Sequence, residues 1–298
     1  MRHCNPGEHI VDFRGKFSDY SWSVAGWHVD HPYQSGRVPL SADVYAEKAS
    51  CERLLDVHRW TGRLLSFRTT RPAGYRFTAG QFARLGLEVD GEIVSRAYSI
   101  TSAENEDVLE YYAIVVPDGK FTTYLDRLQP GAPVWVEKLS YGFMTADRFV
   151  DGKQLWMLAT GTGLGPYISI LQQPEVWEKF ERLVVVHGVR HATELAYRDK
   201  LLALGAAARA RGAGQLAYVP LVTREDAGAG VLQGRITTLL REGRLEQAAG
   251  AALDAASSRV MACGNPEMVT EVREILRERG MTPLRRTGGG QFVTEDYW

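Results

Sequence analysis

Apolar residues between Cys51 and about Leu139 come in short runs of strand length. Leu54, Leu55, Val57 and Trp60 form the first run, and Leu64, Leu65 and Phe67 the second. Residues 81–89 and 93–100 flank Asp90-Gly91, a dipeptide that turns a hairpin when it stands between apolar runs. Residues 109–116 and 134–138 add two more. Several short strands separated by turn residues predict a small antiparallel barrel. One helix interrupts it: Phe121, Leu125 and Leu128 share a face, and Pro130-Gly131 ends it.

The rhythm changes after Asp151-Gly152. Apolar strands are predicted at 155–159, 183–189, 216–223 and 259–263, with helices at 193–211, 235–241 and 266–279. Strands that alternate with helices imply a parallel sheet covered on both faces. The second half therefore reads as an open α/β nucleotide-binding domain. The boundaries expected are a barrel at 47–150 and an α/β domain at 151–298. No internal repeat is visible. Residues 1–46 place Trp22, Trp27 and Tyr33 among His, Ser, Gly and Pro without periodicity. They read as a terminal extension, open between a disordered tail and a packed aromatic arm.

Composition narrows the function. A formal net charge of -1, with basic residues dispersed, gives no footprint for nucleic acid. No apolar run approaches the roughly 18 residues of a membrane span, and the first residues lack the apolar core of a signal peptide. Cys4, Cys51 and Cys263 are too far apart for a disulfide framework or metal-ligand spacing. A reducing, cytoplasmic setting and no bound metal are expected.

Four constellations carry candidate chemistry. Arg96-Ala97-Tyr98-Ser99 ends a strand, whose alternation puts Arg96 and Tyr98 on one face and Ser99 on the other. Together they offer a cation, an aromatic face and a hydroxyl, as a flavin requires; an ordinary edge strand has the same look. Gly119-Lys120-Phe121-Thr122-Thr123 opens the barrel's helix, where exposed N–H groups favour an anion or, more simply, a Thr cap. Thr160-Gly161-Thr162-Gly163-Leu164-Gly165-Pro166 lies between a strand and a helix, its glycines permitting close backbone approach. It is neither the usual dinucleotide fingerprint nor a phosphate loop. Cys263-Gly264-Asn265-Pro266-Glu267-Met268 ends a strand at the sheet edge where open α/β folds bind ligands. A buried core cysteine is the alternative for Cys263.

In order and spacing, these segments and the ending Glu295-Asp296-Tyr297-Trp298 resemble the bacterial ferredoxin–NADP reductases, over about residues 48–298. The resemblance implies an antiparallel β-barrel FAD domain followed by a parallel-sheet α/β NADP-binding domain. It implies that Arg96 pairs with the FAD pyrophosphate, Tyr98 stacks on the flavin and Ser99 sits near its reactive edge. Ala97 lies between them and Tyr111 lines the same site. Gly119, Lys120, Phe121 and Thr122 would hold the phosphates, Thr162 would reach over from the second domain, and Tyr297 and Trp298 would pack on the FAD. On the NADP side it implies Gly163, Val189, Arg190, Thr223, Arg224, Arg235, Gly264, Asn265, Pro266 and Glu267. The three arginines would bind the adenosine phosphate, although Glu225 beside Arg224 offers an alternative ion pair. Ser99, Cys263 and Glu267 would position the nicotinamide. Gly288-Gly289-Gly290 departs from the family pattern and reads as a loosening of the terminal arm.

The activity implied is hydride exchange between NADPH and FAD, with single electrons passing to or from a small redox protein. Three cysteines cannot supply the four ligands of an iron–sulfur cluster, so the acceptor is external, a ferredoxin or flavodoxin. Such partners are acidic, which makes Arg63, Arg68, Arg71, Arg76 and Arg84 a candidate basic rim. The alternatives are a reductase component of an oxygenase system, a flavin-binding sensor module without turnover, and a general quinone or iron(III) reductase.

Overall fold

The computed structural model describes residues 42–226, 228–285 and 288–296. Tyr297 and Trp298, and residues 1–41 of the extension, lie outside this range. The barrel begins with a short helix α1 (Ala42–Ala46) and strand β1 (Ala49–Arg59), followed by β2 (Leu64–Thr70), β3 (Phe82–Val89), β4 (Glu92–Ser99) and β5 (Val108–Ile114). Helix α2 (Lys120–Leu125) and β6 (Pro133–Tyr141) complete it. Among the described residues the strands form one antiparallel sheet, ordered β4-β3-β6-β1-β2-β5. The Ile100↔Tyr111 bridge brings the end of β4 onto β5 and curls the sheet closed. Phe67, Leu85, Leu109, Phe121 and Val136 fill it.

Residues 42–46 belong to the stretch read as an extension, yet Tyr45 is fully buried against the barrel. Its hydroxyl lies 3.1 Å from both Ser95 Oγ and Glu137 Oε1, and Lys48 Nζ is 2.9 Å from the same Glu137 oxygen. Gly86 makes room for the ring, since a Cβ there would press on Tyr45. Helix α2 ends at Leu125, short of the expected stop at Pro130. Arg59 takes hold of Asp126 just beyond it, bonding both its carboxylate and its carbonyl.

The second half runs β7 (Gln154–Thr160), α3 (Gly165–Leu171), α4 (Pro174–Lys179), β8 (Arg182–Val189), α5 (Arg198–Ala210), β9 (Gln215–Val222), β10 (Leu232–Gln233), α6 (Ile236–Arg241), α7 (Arg244–Ala249), β11 (Ser258–Gly264), α8 (Pro266–Glu278) and β12 (Phe292–Asp296). Its strands are parallel in the order β10-β9-β8-β7-β11-β12. Alternate residues of β7, β8 and β11 face opposite layers. Met157, Val185 and Met261 pack with α3, α4 and α5, while Leu158, Val186 and Ala262 pack with α6, α7 and α8. Chain order reverses between β7 and β11, the switch point where such sheets bind ligands.

Strand β12 was not expected. Gly288, Gly289 and Gly290 all adopt positive φ, which favours glycine. A Cβ on Gly290 would overlap the Pro283 carbonyl. The three glycines turn the chain back onto β11, in register from Val260↔Phe292 to Gly264↔Asp296. The two halves are joined by Ser169 Oγ donating to the Ser102 carbonyl at 2.7 Å and Tyr197 Oη donating to Glu110 Oε1 at 2.6 Å.

Candidate functional site

The end of β4 meets the second domain at Ser99. A Cβ added to Gly165 would lie 3.1 Å from Ser99 Cβ, so the glycine lets the loop after β7 close on the barrel. Behind it, the loop packs on the end of β11. A Cβ on Gly163 would overlap the Cys263 carbonyl, and one on Gly264 (φ +133°) would overlap Thr160 Oγ1. That hydroxyl accepts from the Asn265 N–H at 2.8 Å, and Asn265 Oδ1 caps α8 by accepting from Met268 N at 3.2 Å. Ser99, Thr162, Gly163, Cys263 and the 264–267 turn thus converge at the switch point, Pro266 and Glu267 opening α8. Thr160 opens the segment singled out in the sequence, but its bond to Asn265, 105 positions away, is not readable from it.

Register brings Glu295, from the ending that carries the resemblance, to the same place. Glu295 is paired with Cys263, and its Oε1 accepts from Phe143 N at 3.1 Å, tying β12 to the barrel. Cys263 is fully buried on the α3-side layer, beside Ala159.

On the barrel, Tyr98 is half-buried, its ring 5.3 Å from Phe121 and edge-on to Phe67 at 5.9 Å. Tyr111 is fully buried, its ring tilted against that of Phe67 at 5.2 Å, supporting this platform from within. Arg96, Ala97 and Lys120 are exposed. Gly119 flanks α2 with no side-chain cap, and Thr122 Oγ1 instead accepts from Val116 N at 3.1 Å, bracing the turn. A platform of aromatic rings with cations beside it is the donor set a flavin with a diphosphate tail requires. The glycine cradle at the switch point is likewise suited to close approach by a nucleotide.

Three arginines stand along the carboxyl edge of β8, β9 and β10. Backbone bonds align them: Thr223 N to Val189 O at 3.1 Å, Arg224 N to Arg190 O at 3.0 Å, and Gly234 N to Val222 O at 2.9 Å. Arg190, Arg224 and Arg235 are exposed. Glu225 does not pair with Arg224; its carboxylate turns to His191 and Ala192. The rim arginines are more dispersed in role than their spacing suggested. Arg68 pairs with Asp56, Arg71 donates to the carbonyls of Tyr75, Glu104 and Glu106, and Arg63 donates to Val115 O.

His187 lies under this edge, fully buried, with Nδ1 3.3 Å from Tyr218 Oη. Burial pushes its imidazole down to about 4. The unfolded chain therefore takes up a proton from about pH 6.5 downward that the folded protein refuses. Stability is full above that range and is lost as pH falls towards the folded value. Unfolding in urea is expected to show a loss of about 2 kcal/mol from this group between pH 7 and pH 5. In His187→Gln that part of the slope should vanish; an acid limb as steep as the wild type's would remove His187 from this account.

Comparison with known proteins agrees with this geometry. Residues 59–138 match the oxidoreductase FAD-binding domain and residues 157–274 the oxidoreductase NAD-binding domain. The protein is thus a flavoprotein oxidoreductase of the two-domain type. It is 42% identical over 249 residues to a ferredoxin–NADP reductase of Pseudomonas aeruginosa, covering 82% of this chain and 95% of that one. It is 42% identical over 247 residues to a flavodoxin/ferredoxin–NADP reductase of Escherichia coli, covering 83% and 97%. A crystal structure of a ferredoxin–NADP+ reductase from Neisseria gonorrhoeae with bound FAD and NADP superposes with a TM-score of 0.78 at 38% identity, covering 84% of this chain and 98% of that one. The chain belongs to the ferredoxin–NADP reductase family. No described helix is long and apolar enough to cross a membrane.

Proposed function

We propose that this protein is an FAD-dependent reductase that exchanges hydride with NADPH and single electrons with a ferredoxin or flavodoxin in the cytoplasm. The observation that carries the reading is the meeting of Ser99 with Gly165 and of Gly163 with Cys263 at one switch point. It brings the flavin-side strand and the nucleotide-side loops to the same place. When bound, FAD supplies acceptance of a hydride and its return as single electrons.

The chain's residues bind and orient. Tyr98 offers the stacking face, backed by Phe121 and Phe67. Arg96 and Lys120 offer cations to the pyrophosphate, with Ala97, Gly119, Phe121 and Thr122 shaping its seat and Thr162 approaching from the facing domain. Tyr297 and Trp298 are proposed to cover the flavin. Ser99, Cys263 and Glu267 bound the space for a nicotinamide, and the thiol is small enough to let its ring lie flat. Val189, Thr223, Gly264, Asn265 and Pro266 set the backbone around the nucleotide. Arg190, Arg224 and Arg235 present guanidinium forks to a 2′-phosphate.

The test is electron delivery by the FAD-loaded protein. NADPH-dependent reduction of ferredoxin or flavodoxin is expected. Dye reduction with neither carrier accepting electrons would overturn the partner assignment and leave the flavin reading standing.

A further inference from the structure

The loops after β8 and β9 carry Arg190 and Arg224, and one carboxylate ties them together. Glu225 Oε1 accepts from the Ala192 N–H at 2.6 Å, and Oε2 lies 3.0 Å from His191 Nδ1. The Ala192 N–H foremost, then His191, hold this carboxyl below the usual range. An ionised carboxylate only accepts, so Nδ1 carries the hydrogen between them.

Glu194 takes the neighbouring donors. Its Oε2 accepts from the N–H groups of Arg190 at 2.9 Å and His191 at 3.2 Å. The backbone N–H groups of residues 190, 191 and 192 are therefore all bonded to side-chain carboxylates of the protein. A phosphate arriving here is left to the arginine forks, and recognition depends on where those forks are held.

A carboxylate at the sheet edge is also the group that reads the ribose 2′-hydroxyl of an unphosphorylated dinucleotide. Glu225 stands beside the arginines in a position to do so, yet both its oxygens are engaged within the protein. We propose that His191 is a specificity-determining residue: it withholds Glu225 from a ribose diol and, through Glu225, holds Arg190 and Arg224 in place for a 2′-phosphate. This inference rests on the NADPH reading above. His191 and Glu225 keep 46% and 37% of their side-chain exposure, and an ion pair so exposed adds little to folding. Variants at His191 are thus expected to fold.

The experiment compares binding of adenosine 2′,5′-bisphosphate and adenosine 5′-monophosphate to the FAD-loaded protein by calorimetry. The two probes differ by the 2′-phosphate alone. The wild type is expected to prefer the bisphosphate. His191→Ala should narrow that preference by about tenfold, whereas His191→Asn, whose amide can still donate to Glu225, should stay within about threefold of the wild type. A wild-type preference in His191→Ala, or equal damage in His191→Asn, would overturn the proposal while leaving the phosphate reading intact. A wild type indifferent to the 2′-phosphate would overturn both.

Discussion

Gly264→Ala is expected to lower hydride transfer from NADPH by about a hundredfold, the scale of a 1 Å misplacement at a reacting centre. The residue lies at φ +133°, where a side chain is strained whatever the space. Its Cβ would also overlap Thr160, whose hydroxyl receives the Asn265 N–H. Relief requires the end of β11 to move away from the end of β7, taking Cys263 and Glu267 with it. Backbone strain and overpacking each cost roughly 1–3 kcal/mol, so unfolding in urea should show a loss of about 2–6 kcal/mol. Gly243 separates the two effects. It also has positive φ, but nothing lies within 4 Å of its added Cβ. Gly243→Ala should cost about 1 kcal/mol and leave the transfer rate unchanged. If the two variants behaved alike in rapid mixing with NADPH, the packing of β11 on the loop would not be what positions the site.

Replacing Arg190, Arg224 and Arg235 together by glutamine should lower kcat/KM for NADPH by about a thousandfold. A hydrogen bond to a charged group is worth about 1.5–3 kcal/mol, and three at the lower value give that factor after some loss to non-additivity. The value for NADH should stay within about threefold, because NADH lacks the phosphate that the forks are proposed to bind. Steady-state rates with both nucleotides check this. A parallel fall for NADH would assign these arginines to general attraction of the dinucleotide.

Much of this was legible before the structure. The barrel strands were, because apolar runs alternate with strong turn residues such as Asp90-Gly91. The sheet of the second domain was, because its strands are buried on both faces and read as nearly continuous apolar stretches. Strand β12 was not: Phe-Val-Thr-Glu-Asp is short, half polar and preceded by three glycines. Helix α1 is not legible because five residues are too few for periodicity, and Tyr45 is its one buried residue. The motifs point to the candidate site but not to its internal bonds. Thr160 gains its role from Asn265 across the sheet. Glu225 neighbours Arg224 in the chain yet bonds to His191, 34 positions away, because the parallel register of β8 and β9 brings their loops together.

In the proposed function, one chain brings FAD and NADPH together at the β7–β11 switch point. Anaerobic rapid mixing of the FAD-loaded protein with NADPH or NADH, followed by the visible absorbance of the flavin, tests it most directly. The expected result is a yellow protein whose colour bleaches with NADPH far faster than with NADH. A protein that cannot be reconstituted with FAD, or one bleached equally by both nucleotides, would contradict it.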